Sequence, residues 1–90
     1  MLTQDILNRI RRDFSHEEVS LVEEILAQYK GKEPIRVARC ILHISNGSYQ
    51  KLKQHLDIAE KDYRDIIYFA EYQQSGERVN DFSKPFAINE

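Results

Sequence analysis

Residues 48–73 read SYQKLKQHLDIAEKDYRDIIYFAEYQ, and the spacing of their apolar members decides the fold. Tyr49, Leu52, Leu56, Ala59, Tyr63, Ile66 and Ala70 follow one another at steps of three and four, which lines them up along one side of an α-helix. Ser48 is a suitable cap for its start, since its hydroxyl can accept from an otherwise unpaired first-turn amide. One continuous helix of 26 residues would span roughly 39 Å, whereas a compact domain of this length is only about 32 Å across. The pattern therefore predicts a break between Ile58 and Asp62. Asp62 caps the second piece, and Asp65 sits in its first turn against the positive end of the helix dipole.

Working outward toward the amino terminus, Asn46-Gly47 ends a third helix that Pro34 begins, because a proline in the first turn lacks only an amide that would have no helical partner. Between them Ile35, Val37, Ala38, Cys40, Ile41, Leu42 and Ile44 are apolar, and Arg36, Arg39 and His43 fall within about 60° of one another at 100° per residue. This is a central helix with one narrow polar stripe. Upstream, Ser15-His16-Glu17-Glu18 has the form of a capping box, and Phe14 with Val19 forms the accompanying hydrophobic staple. The helix that follows buries Val22, Leu26 and Tyr29 and is expected to stop at Gly31, where a left-handed cap is cheap. Ile6, Leu7, Ile10 and Phe14 stripe a first helix from about Thr3 to Asp13.

Downstream of Gln74 the periodicity dissolves. Pro85 forbids a simple helix, and Phe82, Phe86 and Ile88 are the apolar points of an irregular tail. The expectation is an all-α fold: a helical domain over residues 1–74, built as a compact bundle of about five short helices, with residues 75–90 as a C-terminal tail docked on it.

Composition narrows the function classes. Hydrophobic residues are 41% and charged residues 31%, a balance that supports one folded domain and argues against disorder. A net charge of −2 gives no general attraction for nucleic acid or an anionic membrane. The lone Cys40 has no disulfide partner in the chain, and the start of the sequence has neither the basic residues nor the apolar run of a signal peptide. A cytoplasmic protein without membrane contact is expected.

The segment Leu56-x-x-Ala59-x-x-Asp62-Tyr63-Arg64-Asp65, within a likeness that extends from Pro34 to Tyr72, resembles the carboxyl-terminal part of small uncharacterised bacterial helical proteins. That resemblance implies a compact helical domain in a bacterial cytoplasm and brings no activity with it. Asp62, Tyr63, Arg64 and Asp65 are the matching positions, and a helix start there agrees with the break placed above.

Catalytic signatures are weak. Nothing local singles out His16, His43 or His55 as a base for a nucleophile, and no phosphate loop or nucleophile elbow occurs. Carboxylate pairs such as Glu17/Glu18 and Asp62/Asp65 are accounted for by helix starts and polar faces. Cys40 and His43 have a spacing from which two side chains can reach one metal, but the further ligands are missing and a buried apolar cysteine is the simpler reading. The expectation is a non-enzyme with no metal and no cofactor.

Two surfaces remain. If Ile66, Ile67 and Ala70 face the core, Tyr68 and Tyr72 point roughly 140–180° away, where polar residues belong. This pair, with Phe82 and Phe86 of the tail, is the candidate partner interface for another protein or a second copy, unless the tail folds back over the tyrosines. The alternative is an anion or nucleic-acid site on Arg36, Arg39 and His43, whose guanidinium forks suit phosphate or carboxylate. The net charge makes nucleic acid the less expected partner.

Overall fold

The structure, a computed structural model, describes residues 2–87; Ile88 and the rest of the expected tail beyond position 87 lie outside the described residues. Five helices follow in order: α1 (Gln4–Asp13), α2 (His16–Ala27), α3 (Pro34–Ser45), α4 (Tyr49–Lys61) and α5 (Tyr63–Glu71). The fold is all-α. Among the described residues the extended pairing is confined to an isolated antiparallel bridge between Tyr72 and Arg78.

The long periodic stretch divides where its length required. Asp62 adopts an extended backbone (φ −156°, ψ 101°), closes α4 through its amide to the Ile58 carbonyl at 2.8 Å, and accepts from the Arg64 amide at 3.1 Å to open α5. One residue ends one helix and caps the next, so the apolar stripe continues around a corner. Ser48 caps α4 by accepting from the Lys51 amide at 3.2 Å. At α2, the Glu18 carboxylate takes the Ser15 amide at 3.3 Å and the Ser15 hydroxyl at 3.1 Å.

The end of α2 differs from expectation. The helix stops at Ala27, and Gly31 is not in the left-handed region; that conformation belongs to Glu33 (φ 48°), immediately before Pro34. The cause is Tyr29, which turns inward, is buried, and donates its hydroxyl to the Lys32 carbonyl at 3.2 Å. Gly31 serves there by having no side chain, because a β-carbon would collide with the Tyr29 ring.

Helix α3 is the axis of the molecule and packs against α5, α4 and α1, while α2 closes the far side against α1 and α4. Its Val37, Ile41 and Leu42 meet Ile6 and Ile10 of α1, Val22 of α2, Leu52 of α4 and Ile66 of α5 in one core. At the lower end of α3, Asn46 (φ 49°) and Gly47 (φ 81°) reverse the chain. A β-carbon on Gly47 would stand 2.8 Å from the Asp13 carbonyl oxygen at the end of α1. Gly47→Ala is therefore expected to lower the unfolding free energy by about 1–2 kcal/mol, from the positive φ together with the clash. Urea unfolding checks this: the midpoint falls at constant slope, and an unchanged midpoint would show that the α1–α3 junction yields freely.

Candidate interaction surface

Helix α5 places opposite chemistries on its two sides. Ile66, Ile67, Ala70 and Glu71 face inward and are buried. At 100° per residue, Arg64, Tyr68 and Phe69 then share an outward arc of roughly 140°. Tyr68 is 50% and Phe69 59% exposed, large values for rings in so small a domain. The backbone leaves the helix at Tyr72, yet its ring stays on this side, stacked on Tyr68 at 5.4 Å with the planes 7° from parallel. Val79, also exposed, lies at the same end of α5, its amide bonded to the Glu71 carbonyl at 2.7 Å.

Arg64 completes the arc. Its Nε and Nη2 donate to Asp62 at 3.0 and 3.1 Å, and its side chain is otherwise largely in solvent. Those bonds lie in the guanidinium plane, so they fix the group by its edge and leave its faces open.

The tail docks elsewhere than on the tyrosines. It turns at Gly76 (φ 88°), and the Val79 and Asn80 amides and the Asn80 side chain cap the last carbonyls of α5 at Glu71 and Ala70. It then crosses α3 and reaches α1. Phe82 is buried, with its ring 5.0 Å from His43 and 5.8 Å from Phe86, and Phe86 lies under the guanidinium of Arg9 at 4.5 Å. Phe82 is thus a core residue, and Phe86 is half-buried behind it. Both leave the list of candidate partner contacts, whereas Tyr68 and Tyr72 keep their place on it.

Two acidic residues hold this crossing. Glu71 is fully buried and accepts from Arg36 at 2.7 and 2.9 Å, from Arg78 at 2.7 and 3.1 Å, and from the Phe82 amide at 3.1 Å. Burial alone would raise its pKa, but the Arg36, Phe82 and Arg78 hydrogen bonds bring it below the usual carboxylate range. Asp5 accepts from Arg39 at 2.8 and 3.2 Å, from the Phe86 amide at 3.1 Å and from the Thr3 hydroxyl. There too burial works upward, and Arg39, Thr3 and the Phe86 amide outweigh it to hold the carboxyl at about 2.

The expected anion stripe consequently has other work. Arg36 is occupied by Glu71 and by Glu33 at 3.3 Å, and the buried Arg39 is occupied by Asp5 and the Phe82 carbonyl at 3.2 Å. His43 is exposed against Phe82. The forks that were to take an external anion already hold internal carboxylates.

The remaining polar groups do not assemble a reacting centre. Cys40 is fully buried, and its thiol is pushed up to about 12 by burial and by Glu71, so it stays protonated. Ser45 Oγ and His55 Nδ1 lie 2.9 Å apart, the contact a nucleophile and its base would make, but the serine is fully buried and no substrate atom can approach it. Gln50, Lys53 and Gln54 of α4 line a shallow groove with Ile25 and Gln28 of α2 in which Asp57 and Glu60 offset the lysine. Among the described residues no helix is long and apolar enough to cross a membrane.

The residues that matter here and escape a reading of the sequence are Phe69, Glu71, Asp5 and Arg78. Glu71 carries a recognisable signal: it follows Ile67 by four, on the apolar side of α5, and an acid there with arginines on a facing helix indicates a buried pair. Phe69 stands only 100° from Tyr68 and could have been added to the outward face on that ground. Arg78 and Asp5 need the path of the tail. No family model matches the chain, and no curated protein or solved structure proved similar to it.

Proposed function

We propose that the protein is a small protein-interaction module whose contact surface is the outward aromatic face of α5. One observation carries this reading: Tyr68 and Phe69 are half exposed or more on consecutive positions of an ordered helix, while the tail aromatics are committed to α3 and α1. Aromatic rings give large contact area for few rotatable bonds, and the hydroxyl of Tyr68 gives the patch a polar edge. A rigid helix presents them without an ordering penalty at the moment of binding. The anion-binding alternative lacks comparable support, because Arg36 and Arg39 are engaged by buried or half-buried acids.

The test joins a stability measurement to a binding one. Tyr68→Ala with Phe69→Ala is expected to change the unfolding free energy by no more than about 0.5 kcal/mol, since both rings are in solvent. The same pair should weaken a complex by roughly 100-fold or more, as central aromatic anchors do. A photo-crosslinking amino acid at position 69, introduced in the native host, should form discrete adducts that the same group at Gln54 on α4 does not. Equal adduct patterns from both positions would overturn the assignment of the surface.

A further inference from the structure

We infer that the partner of the α5 face is a second copy of this chain, docked antiparallel about a two-fold axis that passes by Tyr68; the inference rests on α5 being the contact surface. Arg64, Tyr68 and Tyr72 succeed one another at steps of four along one stripe of the outward arc. In an antiparallel two-fold arrangement centred on Tyr68, position 64 of one copy faces position 72 of the other. The stripe then answers itself: Arg64 meets the ring of the second copy's Tyr72, Tyr68 meets Tyr68, and the second copy's Arg64 meets Tyr72 in return. A two-fold contact must be self-complementary in this way, and a cation at one end with an aromatic ring at the other satisfies the condition.

The local geometry prepares the contact. Asp62 holds the Arg64 guanidinium by its edge at 3.0 and 3.1 Å, so a face is presented for stacking on a ring. Tyr72 and Tyr68 are stacked with each other, which keeps both rings upright on the helix surface. Antiparallel pairing also brings opposite ends of the two helix dipoles together.

Area sets the strength. Tyr68, Phe69 and Val79 are each about half exposed, and with part of Tyr72 they offer on the order of 300 Å² of apolar surface per copy. A stable interface buries about 800 Å² per partner, so the patch can form the centre of a contact and must draw on a polar rim including Asp65 and Gln73. The dimer is therefore weak, with dissociation in the micromolar range or above, and the net charge of −2 opposes it little.

Sedimentation equilibrium on the whole chain from micromolar to millimolar concentration, paired with amide chemical shifts followed on dilution, tests the proposal. The expected result is a reversible monomer–dimer equilibrium with shift changes at positions 64, 68, 69 and 72. Arg64→Ala should raise the dissociation constant by about tenfold, because the substitution removes the ring contact twice per dimer. Tyr68→Ala should abolish dimers, and both variants should keep the wild-type circular dichroism spectrum. A monomer at millimolar concentration overturns the second copy as partner; if crosslinks from position 69 to a different protein persist, the interaction surface itself stands. A dimer whose shift changes lie away from α5 overturns the geometry and the surface together. A dimer that Arg64→Ala leaves unaltered overturns the antiparallel register.

Discussion

Glu71→Gln is expected to lower the unfolding free energy by about 3 kcal/mol and to free the tail before the helices melt. The substitution keeps the shape of the side chain and removes its charge. Arg36 and Arg78 then face a neutral amide, and the amide nitrogen, which can donate but not accept, replaces one of the two oxygens that together take five hydrogen bonds. The loss falls unevenly. Helix α5 keeps Ile66, Ile67 and Ala70 in the core, so its own packing survives. Residues 78–82 lose their charged anchor and the acceptor for the Phe82 amide. Hydrogen exchange separates the two effects: the Phe82 amide should exchange far faster in the variant while those of α3 slow or quicken only with global stability. Equal protection at Phe82 in both proteins would show that the carboxylate is not what holds the tail.

Asp5→Asn produces the second large effect, and its size depends on pH. The Asp5 carboxyl titrates at about 2 in the folded protein against an ordinary value of 3.8. A depressed acid contributes stability that is complete above the unfolded value and is lost as pH falls through the folded one. The difference corresponds to about 2 kcal/mol, given up between roughly pH 5 and pH 1. The variant should therefore be less stable than wild type by about 2–3 kcal/mol at neutral pH, and the gap should close as the solution is acidified through that window. Thermal midpoints of the two proteins across the acid range measure it. A gap that stays constant with pH would mean that the contribution of Asp5 is one of shape rather than charge.

The parts of the fold that the amino-acid sequence exposes are those set by neighbours in the chain. Helical spacing in 48–73, the reach of one helix against the width of a small domain, and Asp62 as a capping residue are local quantities, and together they divide α4 from α5 correctly. Pro34, Asn46 and Gly47 act through their own backbone preferences and mark the limits of α3. The end of α2 was misread because Gly31 was given a conformational role, whereas Tyr29 requires it to lack a side chain. Such a requirement comes from the burial of a ring two residues away and has no signature in periodicity. The same division runs through the candidate surface. Tyr68 and Tyr72 can be placed outward from the helical angle alone. Where Phe82 and Phe86 go is decided by Glu71 and Asp5, acids 11 and 81 positions distant, whose pairing with Arg36 and Arg39 turns an expected anion stripe into a set of internal anchors.

The bond from the Phe86 amide to Asp5 joins nearly the two extremes of the described chain. A ribosome makes these residues at opposite ends of its task, the first helix early and the tail late. Until position 86 is free to swing back, Arg39 and Asp5 lack a wall on one side and the seat of Phe82 is open to water. The nascent domain must therefore wait in an unfinished state, with its helices formed and its last seam unsewn. A chaperone that recognises exposed apolar seats would meet this protein in that interval and lose its hold when the seam closes.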